Sequence, residues 1–456
     1  MAGRADIATH LSQRRRAIDA VFADWATKDL SAPERADVVE KYFRQAKIGV
    51  TQRVGNGNSI RVSRPSPDSR RPNILIVGRH GTRDLAPGPN PVRNDLGFCG
   101  PGLASRLGPT IAFVEGLGAA RTVADKEAVN ATYLSLGDDD TFSSVVPTIA
   151  ATGIDAVFLT NAVAWSPDHP TITTGSRGQI VAELRLRSGG SIDDFVTSGA
   201  VRNPLTKMMQ LLGELRDQRG RIVLPGFYER AKAPNDRVRA LLKANNHDPN
   251  AWSNGLRLAA PSGRLSSLER AALWPGISVL DIKRDNDSAL SNVATHGPSE
   301  QDPALDQQHR STPTPITATP ASVTATIAIY LVPDQRHAEV ESALRKWFTN
   351  QVTTDLHPRV KMLSATRPYR TPAKSVALAA QTRAGHRLSG RNPILVPAGG
   401  PAGAGEAAFT MGVPVAFAGL VPPSTSYNTT SEVLGWAHFS AGVALAAETA
   451  LELRRT

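Results

Sequence analysis

Hydrophobic periodicity divides the chain into stretches of different kind. Residues 11–48 carry apolar side chains at helical spacing, broken by a turn-like segment at 31–33, and predict two amphipathic helices. Short apolar runs follow at 73–78, 131–136 and 156–159, and the first of them ends in a glycine. Buried runs of this length, alternating with helical stretches, are typical of an open, mostly parallel α/β sheet.

The middle of the chain has a different pattern. Residues 180–187 and 324–330 alternate between apolar and polar side chains with period two, which predicts half-buried antiparallel strands. Helical spacing at 205–218 and 236–243 lies between them, so an α+β unit with one exposed sheet face accounts for the region. Residues 294–321 are rich in Pro, Thr, Ser and Gln and predict a long mobile loop.

After Pro372 the α/β pattern returns. A helix is predicted at 373–385, strands at 393–396 and 413–416, and a long Ala-rich helix from Trp436 onward. The predicted fold is an α/β domain with an open, mostly parallel sheet, interrupted by an inserted α+β domain. The predicted boundaries are 1–172 for the first part of the α/β domain, 173–365 for the insertion and 366–456 for the second part.

The composition favours a folded protein and argues against membrane, secreted and disulfide-rich classes. Hydrophobic residues make up 41% of the chain and charged residues 20%, which is enough apolar material for a folded core. No apolar run approaches the roughly 20 residues of a membrane-spanning helix, and the first residues lack the apolar core of a secretory signal. A cytoplasmic protein is therefore expected. The single cysteine, Cys99, excludes an intrachain disulfide framework and a thiolate-rich zinc site.

The net charge of +11, from 52 Lys and Arg against 41 Asp and Glu, would attract polyanions without specificity. A nucleic-acid-associated protein is therefore an alternative from another functional class. The basic residues are dispersed, however, with one run of three at 14–16, and no recognition motif accompanies them. The interpretation favoured here is an Arg-rich protein that has no nucleic-acid partner.

Several segments, in order and spacing, resemble the carnosinase-type members of the zinc aminoacylase and dipeptidase family. They include Thr-Thr-Gly-Ser-Arg-Gly at 173–178, Gly-Ala-Val-Arg-Asn-Pro at 199–204, the stretch 220–228, Tyr-Leu-Val-Pro at 330–333, and Ser-Glu at 431–432. The resemblance implies an α/β catalytic domain with a lid that also makes a homodimer. It also implies amide hydrolysis, in which two zinc ions share a bridging carboxylate and a water and a nearby Glu removes the proton.

The positions that carry zinc ligands in that family are mostly changed in this chain. Thr82 stands at the first histidine, Ser105 at the bridging aspartate, Asn161 at another aspartate and Asn428 at the last histidine; of the five ligand positions only Asp140 keeps a charge. Zinc is held by anionic or imidazole ligands, and neutral hydroxyls and amides bind it poorly. The resemblance therefore predicts a scaffold without its dinuclear zinc centre and, most simply, no cofactor.

Substrate-handling positions differ as well. Tyr330 stands where the family has an arginine on the lid, and Pro397 stands where another arginine precedes the glycine-rich loop. That loop, with Gly399 and Gly400, either cradles an anion at the following helix or forms a plain tight turn. Neutral side chains at the former metal positions either hold a polar ligand or fill the vacated space. The predicted substrate-binding residues are Thr82, Ser105, Asn161, Tyr330, Gly399, Gly400 and Asn428.

The favoured prediction is a degenerate metallopeptidase-like protein for a peptide-like or amide molecule. It is either a non-catalytic binding protein or a metal-independent enzyme, with Asp139 as general base and Asp84 as its neighbour. The alternative is a functional zinc dipeptidase with relocated ligands, in which His80, Asp84, Asp139 and Asp140 make a one-metal site. Asp140 and His80 are thus the weak candidates for a metal ligand.

Overall fold

The helices and strands are taken from a computed structural model. The described residues are 2–82, 85, 97–124, 128–138, 140–146, 153–165, 170–190, 192–193, 199–232, 235–244, 269–270, 273–285, 318–400, 403–421 and 432–455. Their α-helices are α1 (Ala2–Thr27), α2 (Ala32–Gln45), α3 (Gly108–Ala124), α4 (Phe142–Val145), α5 (Pro204–Glu214), α6 (Asp236–Ala244), α7 (His337–Asn350), α8 (Val376–Ser389), α9 (Ala404–Met411) and α10 (Trp436–Arg454). A π-helix, Leu103–Leu107, precedes α3, and a short 3-10 helix covers Thr354–Leu356.

The strands share a numbering in chain order. They are β1 (Val50–Val54), β2 (Ser59–Arg64), β3 (Asn73–Arg79), β4 (Gly97–Gly100), β5 (Asn130–Leu136), β6 (Ala156–Val163), β7 (Thr171–Thr173), β8 (Gly175–Ser176), β9 (Gly178–Arg187), β10 (Ile192–Asp193), β11 (Gly276–Asp285), β12 (Ala318–Thr319), β13 (Ser322–Leu331), β14 (Arg359–Thr366), β15 (Tyr369–Arg370), β16 (Ile394–Val396), β17 (Val415–Val421) and β18 (Glu432–Gly435).

The larger sheet has six strands in the order β1-β2-β5-β3-β6-β17. The three apolar runs predicted as buried strands form its centre: β3 pairs in parallel with β5 on one side and with β6 on the other, and β17 adds in parallel to β6. The β1–β2 hairpin extends the sheet beyond β5 with antiparallel pairing. Because most of the strands are parallel, their carboxyl ends meet at one edge of the sheet.

Helices cover both faces of this sheet. On one face α1, α2, α3 and α10 bury large side chains in a common core, among them Trp25, Phe43, Phe113 and Phe439. On the other face α4 and α9 pack against a smaller core that contains Leu75, Leu134 and Phe417. Both faces of the parallel strands are therefore buried. This explains why the sequences of these strands are continuous apolar runs without alternation.

A buried carboxylate ties the first helices to α3. The side chain of Glu115 is only 3% exposed, and it accepts hydrogen bonds from His10 and Arg14 of α1 and from Tyr42 of α2. Burial raises the pKa of Glu115, but these three donors outweigh it and the net pKa lies below the ordinary value. The middle of α3 is thus held by α1 and α2.

The second sheet has four antiparallel strands in the order β11-β13-β9-β14. The helices α5 and α7 cover one face, with Met208, Leu211, Leu344 and Phe348 in the core. Along β9 buried side chains alternate with more exposed ones, as the period-two pattern predicts. The domain boundaries at 172/173 and 365/366 stay a prediction.

The predicted mobile loop at 294–321 falls largely outside the described residues. Its described end includes β12, whose two residues pair with β10 in an antiparallel ladder.

Candidate functional site

Several of the predicted site residues follow strands of the six-stranded sheet at its carboxyl edge. His80 comes directly after β3, Asp138 and Asp140 come after β5, and Asn161 lies in the last half of β6. In open α/β sheets, ligand sites lie outside the carboxyl ends of parallel strands. The topology therefore brings these segments to the edge where a site is expected.

The π-helix carries Ser105 to the same edge. It begins after Gly102, whose φ of 59° is in the left-handed region that glycine adopts without strain. The antiparallel pair β4–β18 places Glu432 opposite Gly100, just before this turn. Single π-turns in proteins are frequent at functional sites, and here the turn presents the Ser105 backbone and side chain toward Glu432.

Ser105, Asn161 and Glu432 form a connected group, which we call the Ser105 cluster. The Glu432 carboxylate, 1% exposed, accepts one hydrogen bond from the Ser105 hydroxyl and one from the Ser105 backbone N–H, each 2.6 Å long. The Asn161 side-chain amide donates to the Ser105 carbonyl over 2.9 Å. Two of the predicted substrate-binding residues are thus brought together, and each is engaged in hydrogen bonds within the protein.

His80 is fully buried beside the end of β5. Its Nδ1 lies 2.8 Å from the hydroxyl oxygen of Ser135. Burial lowers the pKa of His80 to about 4, and the nearby Asn58 carbonyl and Asp138 carboxylate, which act to raise it, only partly offset that effect. The imidazole is therefore neutral at physiological pH, and one of its two nitrogens is already in contact with a hydroxyl.

Asp140 is engaged by the β1–β2 hairpin. Its carboxylate, on a residue 2% exposed, accepts a 2.7 Å hydrogen bond from the Ser59 hydroxyl and a 3.3 Å bond from the Asn56 backbone N–H. The turn approaches so closely that a Cβ on Gly55 would lie 2.6 Å from an Asp140 oxygen. Asp140 therefore holds the hairpin turn, and its role as a metal ligand stays a prediction.

The donor set around the Ser105 cluster does not fit a dinuclear zinc centre. Across the described residues, no three His, Cys, Asp or Glu side chains are grouped so that they could hold a metal ion. At the cluster itself a single carboxylate is joined by a hydroxyl and an amide, which are poor zinc ligands. No chemical step through zinc follows from this arrangement.

Tyr330 lies in β13 of the four-stranded sheet, where it pairs with Gly276 and Gln179. The guanidinium of Arg177 lies 5.1 Å from the centre of its ring, at a distance typical of a cation–π contact. Burial lowers the pKa of Arg177 to about 10. An arginine is thus present next to Tyr330, and a role for Tyr330 in ligand binding stays a prediction.

Gly399 and Gly400 sit at a close approach of several segments. A Cβ on Gly399, whose φ is 90°, would lie 2.8 Å from the ring of Trp165. A Cβ on Gly400 would lie 2.4 Å from the ring of Phe417, and the Gly400 N–H donates to the Gly175 carbonyl over 2.9 Å. Packing alone requires glycine at both positions, so the predicted anion-binding role stays a prediction.

The remaining predicted residues are less informative. Thr82 is partly buried, and its carbonyl accepts a hydrogen bond from the Leu85 N–H over 3.0 Å. Asp84, Asp139 and Asn428 lie outside the described residues.

Glu432 is the site residue that the sequence interpretation did not single out. The pair Ser431–Glu432 is one of the segments that carry the family resemblance, but it gives no sign that the carboxylate bonds to Ser105, because β4 and β18 are far apart in the chain. The hydroxyl partners Ser59 and Ser135 are also invisible in the sequence, since a serine in a strand has no pattern that reveals its partner.

Comparisons with known proteins agree with this architecture. No family model matches the chain. The human Beta-Ala-His dipeptidase is 24% identical over 171 residues, which are 35% of this chain and 33% of that protein, so the match spans about a third of the curated relative. No helix among the described residues is long and apolar enough to cross a membrane.

Two solved structures match over almost the whole chain. The di-peptidase Dug1p from Saccharomyces cerevisiae has a TM-score of 0.67 at 16% identity and covers 99% of this chain and 98% of its own. The M20 family metallo-carboxypeptidase Sso-CP2 from Sulfolobus solfataricus has a TM-score of 0.71 at 15% identity, with 96% and 99% covered. The predicted α/β domain with an inserted lid is confirmed. The chain therefore has the fold of these M20-type peptidases and is similar in sequence, over about a third of its length, to Beta-Ala-His dipeptidase.

Proposed function

We propose that this protein is a metallopeptidase-like binding protein that has lost the dinuclear zinc centre and takes a peptide-like or amide molecule without hydrolysing it. The Ser105 cluster is the observation that carries the proposal. At the carboxyl edge of the parallel strands, where open α/β sheets bind ligands, a hydroxyl and an amide stand at two positions where the resemblance implies carboxylates, and both are bonded within the protein. Without anionic and imidazole ligands, a water with a pKa lowered by zinc is not available.

The neighbouring groups support the same conclusion. The neutral, buried imidazole of His80 contacts Ser135, and the carboxylate of Asp140 is occupied by the hairpin turn. A dipeptidase with relocated ligands would need these two side chains to turn toward a common point. That change would leave buried Ser59 and Ser135 hydroxyls without these partners, at about 1–3 kcal/mol for each unsatisfied group.

Peptide hydrolysis with and without zinc tests the proposal. The full chain is incubated with β-alanyl-histidine and a panel of L-dipeptides, in added zinc or in chelator, and amino-acid release is measured. We expect release equal to the protein-free blank in both conditions. Zinc-dependent release that chelator abolishes would overturn the proposal. Release that is insensitive to chelator would instead support a metal-independent enzyme, and Asp139→Asn would then be the variant that tests the general base.

We also propose that the chain is a homodimer through the lid, the predicted segment 173–365. Within the part of the chain that the structure describes, the edge strand β11 pairs with β13 alone, and it carries exposed apolar side chains. Val279, Leu280 and Ile282 are 46%, 54% and 41% exposed. An exposed apolar edge strand is a template for pairing with another strand, and a second copy of β11 would place its own apolar side chains beside these three.

The mass in solution tests the dimer. Light scattering after gel filtration should give twice the 48.5 kDa of one chain. Ile282→Lys should shift the protein to monomer, because a charge on the paired edge opposes strand addition. Leu363→Lys, at a similarly exposed position on the opposite edge strand β14, is the matched control and should stay dimeric. A monomeric wild type would contradict the proposal.

A further inference from the structure

A cavity of about 180 Å³ is lined by residues from several segments of the chain, and we call it the hinge cavity. It is far larger than the roughly 10–15 Å³ that one water molecule requires. The lining residues are Lys232, Asn235, Val238, Leu273, Val332, Pro333, Arg370 and Pro397. None of them belongs to the Ser105 cluster.

The hinge cavity joins the two halves of the fold. Val332 follows β13 of the four-stranded sheet directly, whereas Arg370 ends β15. The next residue, Thr371, donates its hydroxyl to the Val415 carbonyl of β17 over 2.8 Å, which fixes this segment to the six-stranded sheet. A ligand in the cavity would therefore contact residues anchored to both sheets.

The cavity is positively charged. Among its described lining residues the ionisable ones are Lys232 and Arg370, both cations. Both cations contact the carboxylate of Asp334, which is not one of the lining residues. The Arg370 guanidinium donates to it over 2.9 and 3.3 Å, and the Lys232 ammonium lies 3.5 Å from it. A guanidinium with five N–H donors and an ammonium with three exceed what one carboxylate accepts. Lys232, Arg370 and Asp334 together therefore carry a net charge of +1.

The backbone at Asp334 is held in a costly conformation. Its φ is 82°, in the left-handed region that non-glycine residues seldom adopt. Gln335 enforces the turn: its side-chain oxygen accepts from the Val332 N–H over 2.9 Å, and its amide donates to the Phe227 carbonyl over 2.6 Å. The turn places the Asp334 carboxylate where it positions both cations at the cavity.

Apart from Asn235, the rest of the wall is aliphatic. Val238, Leu273 and Val332 are each less than a tenth exposed, and two prolines complete the surface. A small cavity with an apolar wall and few placed polar groups is the usual form of a small-molecule site. Here the polar end is cationic and its fixed geometry comes from Asp334.

We propose that the hinge cavity binds a small carboxylate with an aliphatic body, its carboxylate between Lys232 and Arg370 and its body against Val238, Leu273 and Val332. The anion neutralises the surplus positive charge, and charge-assisted N–H···O bonds to it are stronger than neutral ones. This site does not depend on the loss of zinc. Its ligand is either a free short-chain acid or the carboxyl end of a peptide-like molecule, since both present the same chemistry.

Calorimetric titration of the full chain tests the site with three probes. 4-Methylpentanoate represents the free acid, N-acetyl-L-leucine represents a peptide end, and N-acetyl-L-leucinamide is the uncharged amide of the second probe, without a carboxylate. We expect saturable binding of at least one of the two acids, with the tighter one identifying the source, and binding of N-acetyl-L-leucinamide weaker by about tenfold or more. N-Acetyl-L-leucinamide bound as tightly as the acids, or no saturable binding of either acid, would overturn the proposal.

Lys232→Met supplies the second test. The lysine is 74% exposed, so the variant should fold normally. It should weaken binding of the preferred acid by about tenfold, the loss expected for one charged hydrogen bond. Lys361→Met is the matched control, because Lys361 is 65% exposed and lies 3.9 Å from Glu183, away from the cavity and from β11. Equal affinities for wild type and Lys232→Met would overturn the assignment of the cationic wall.

Discussion

Replacing Glu432 with alanine is expected to lower the free energy of unfolding by about 3 kcal/mol, because two buried donors of Ser105 would lose a charged acceptor. The Glu432 carboxylate is 1% exposed and receives both Ser105 bonds at 2.6 Å. It also joins β18 to the π-helix, so its removal affects two segments that have no sequence proximity. The measurement is denaturant-induced unfolding, monitored with a spectroscopic signal that reports on the six-stranded sheet.

Two variants control this experiment. Glu432→Gln keeps an oxygen that can accept from the Ser105 hydroxyl, so it should be less destabilising than Glu432→Ala. Glu339→Ala removes a carboxylate that is 49% exposed and pairs with Arg230 at the surface; such a pair contributes about 0–1 kcal/mol. If Glu432→Ala were no more destabilising than Glu339→Ala, the Ser105 cluster would not be the structural replacement proposed for the metal centre.

His80 should make stability fall as the pH is lowered from neutral. In the unfolded chain the imidazole has its ordinary pKa of 6.5, whereas burial lowers the pKa of His80 in the folded protein to about 4. Between these values the unfolded chain binds a proton that the folded protein does not, so acid favours unfolding. The loss begins near pH 6.5 and reaches about 3 kcal/mol by pH 4, at 1.36 kcal/mol per pKa unit.

The effect of His80 is isolated by comparing variants across this pH range. His80→Asn keeps a polar side chain beside Ser135 but has no proton to gain, so its unfolding free energy should depend less on pH between 6.5 and 4 than that of wild type. The exposed His386→Asn controls for the substitution itself. Parallel pH profiles of wild type and His80→Asn would show that the buried imidazole is not held neutral.

The fold was predictable where burial produces a periodic pattern. The central strands β3, β5 and β6 are continuous apolar runs because both of their faces are covered, and β9 alternates because its sheet has one covered face. The break between α1 and α2 is marked by Ser31, which caps α2, and by a proline in the first turn. In these elements the local pattern and the tertiary environment agree.

Other elements leave little trace in the sequence. The π-helix depends on the register of β4 against β18 and on Gly102, and no periodicity reveals a widened turn of five residues. The β1–β2 hairpin is short, and its turn is held by Asp140, which is more than 80 residues away. Long-range partners of this kind are decided by the fold and not by the neighbouring sequence.

The candidate site also combines features that the sequence predicts with features that only the fold determines. The family resemblance identifies the positions 105 and 161 as former ligand sites, and the structure brings both into the Ser105 cluster. It does not reveal the partner Glu432, the contact between His80 and Ser135, or the hinge cavity, because all three arise from side chains on separate segments. Residue identity thus indicated the positions at which the side chains differ from those of the family, and packing determined their partners in this fold.

Zinc content is the most direct measure of whether the metal centre has been lost. Protein purified without chelator and dialysed against zinc is analysed by elemental mass spectrometry, with a zinc dipeptidase handled in parallel as the positive control. With Ser105 and Asn161 bonded within the protein, we expect a zinc content indistinguishable from that of a non-metal protein. About one or two zinc ions per chain, the content of mono- and dinuclear hydrolytic sites, would contradict the account.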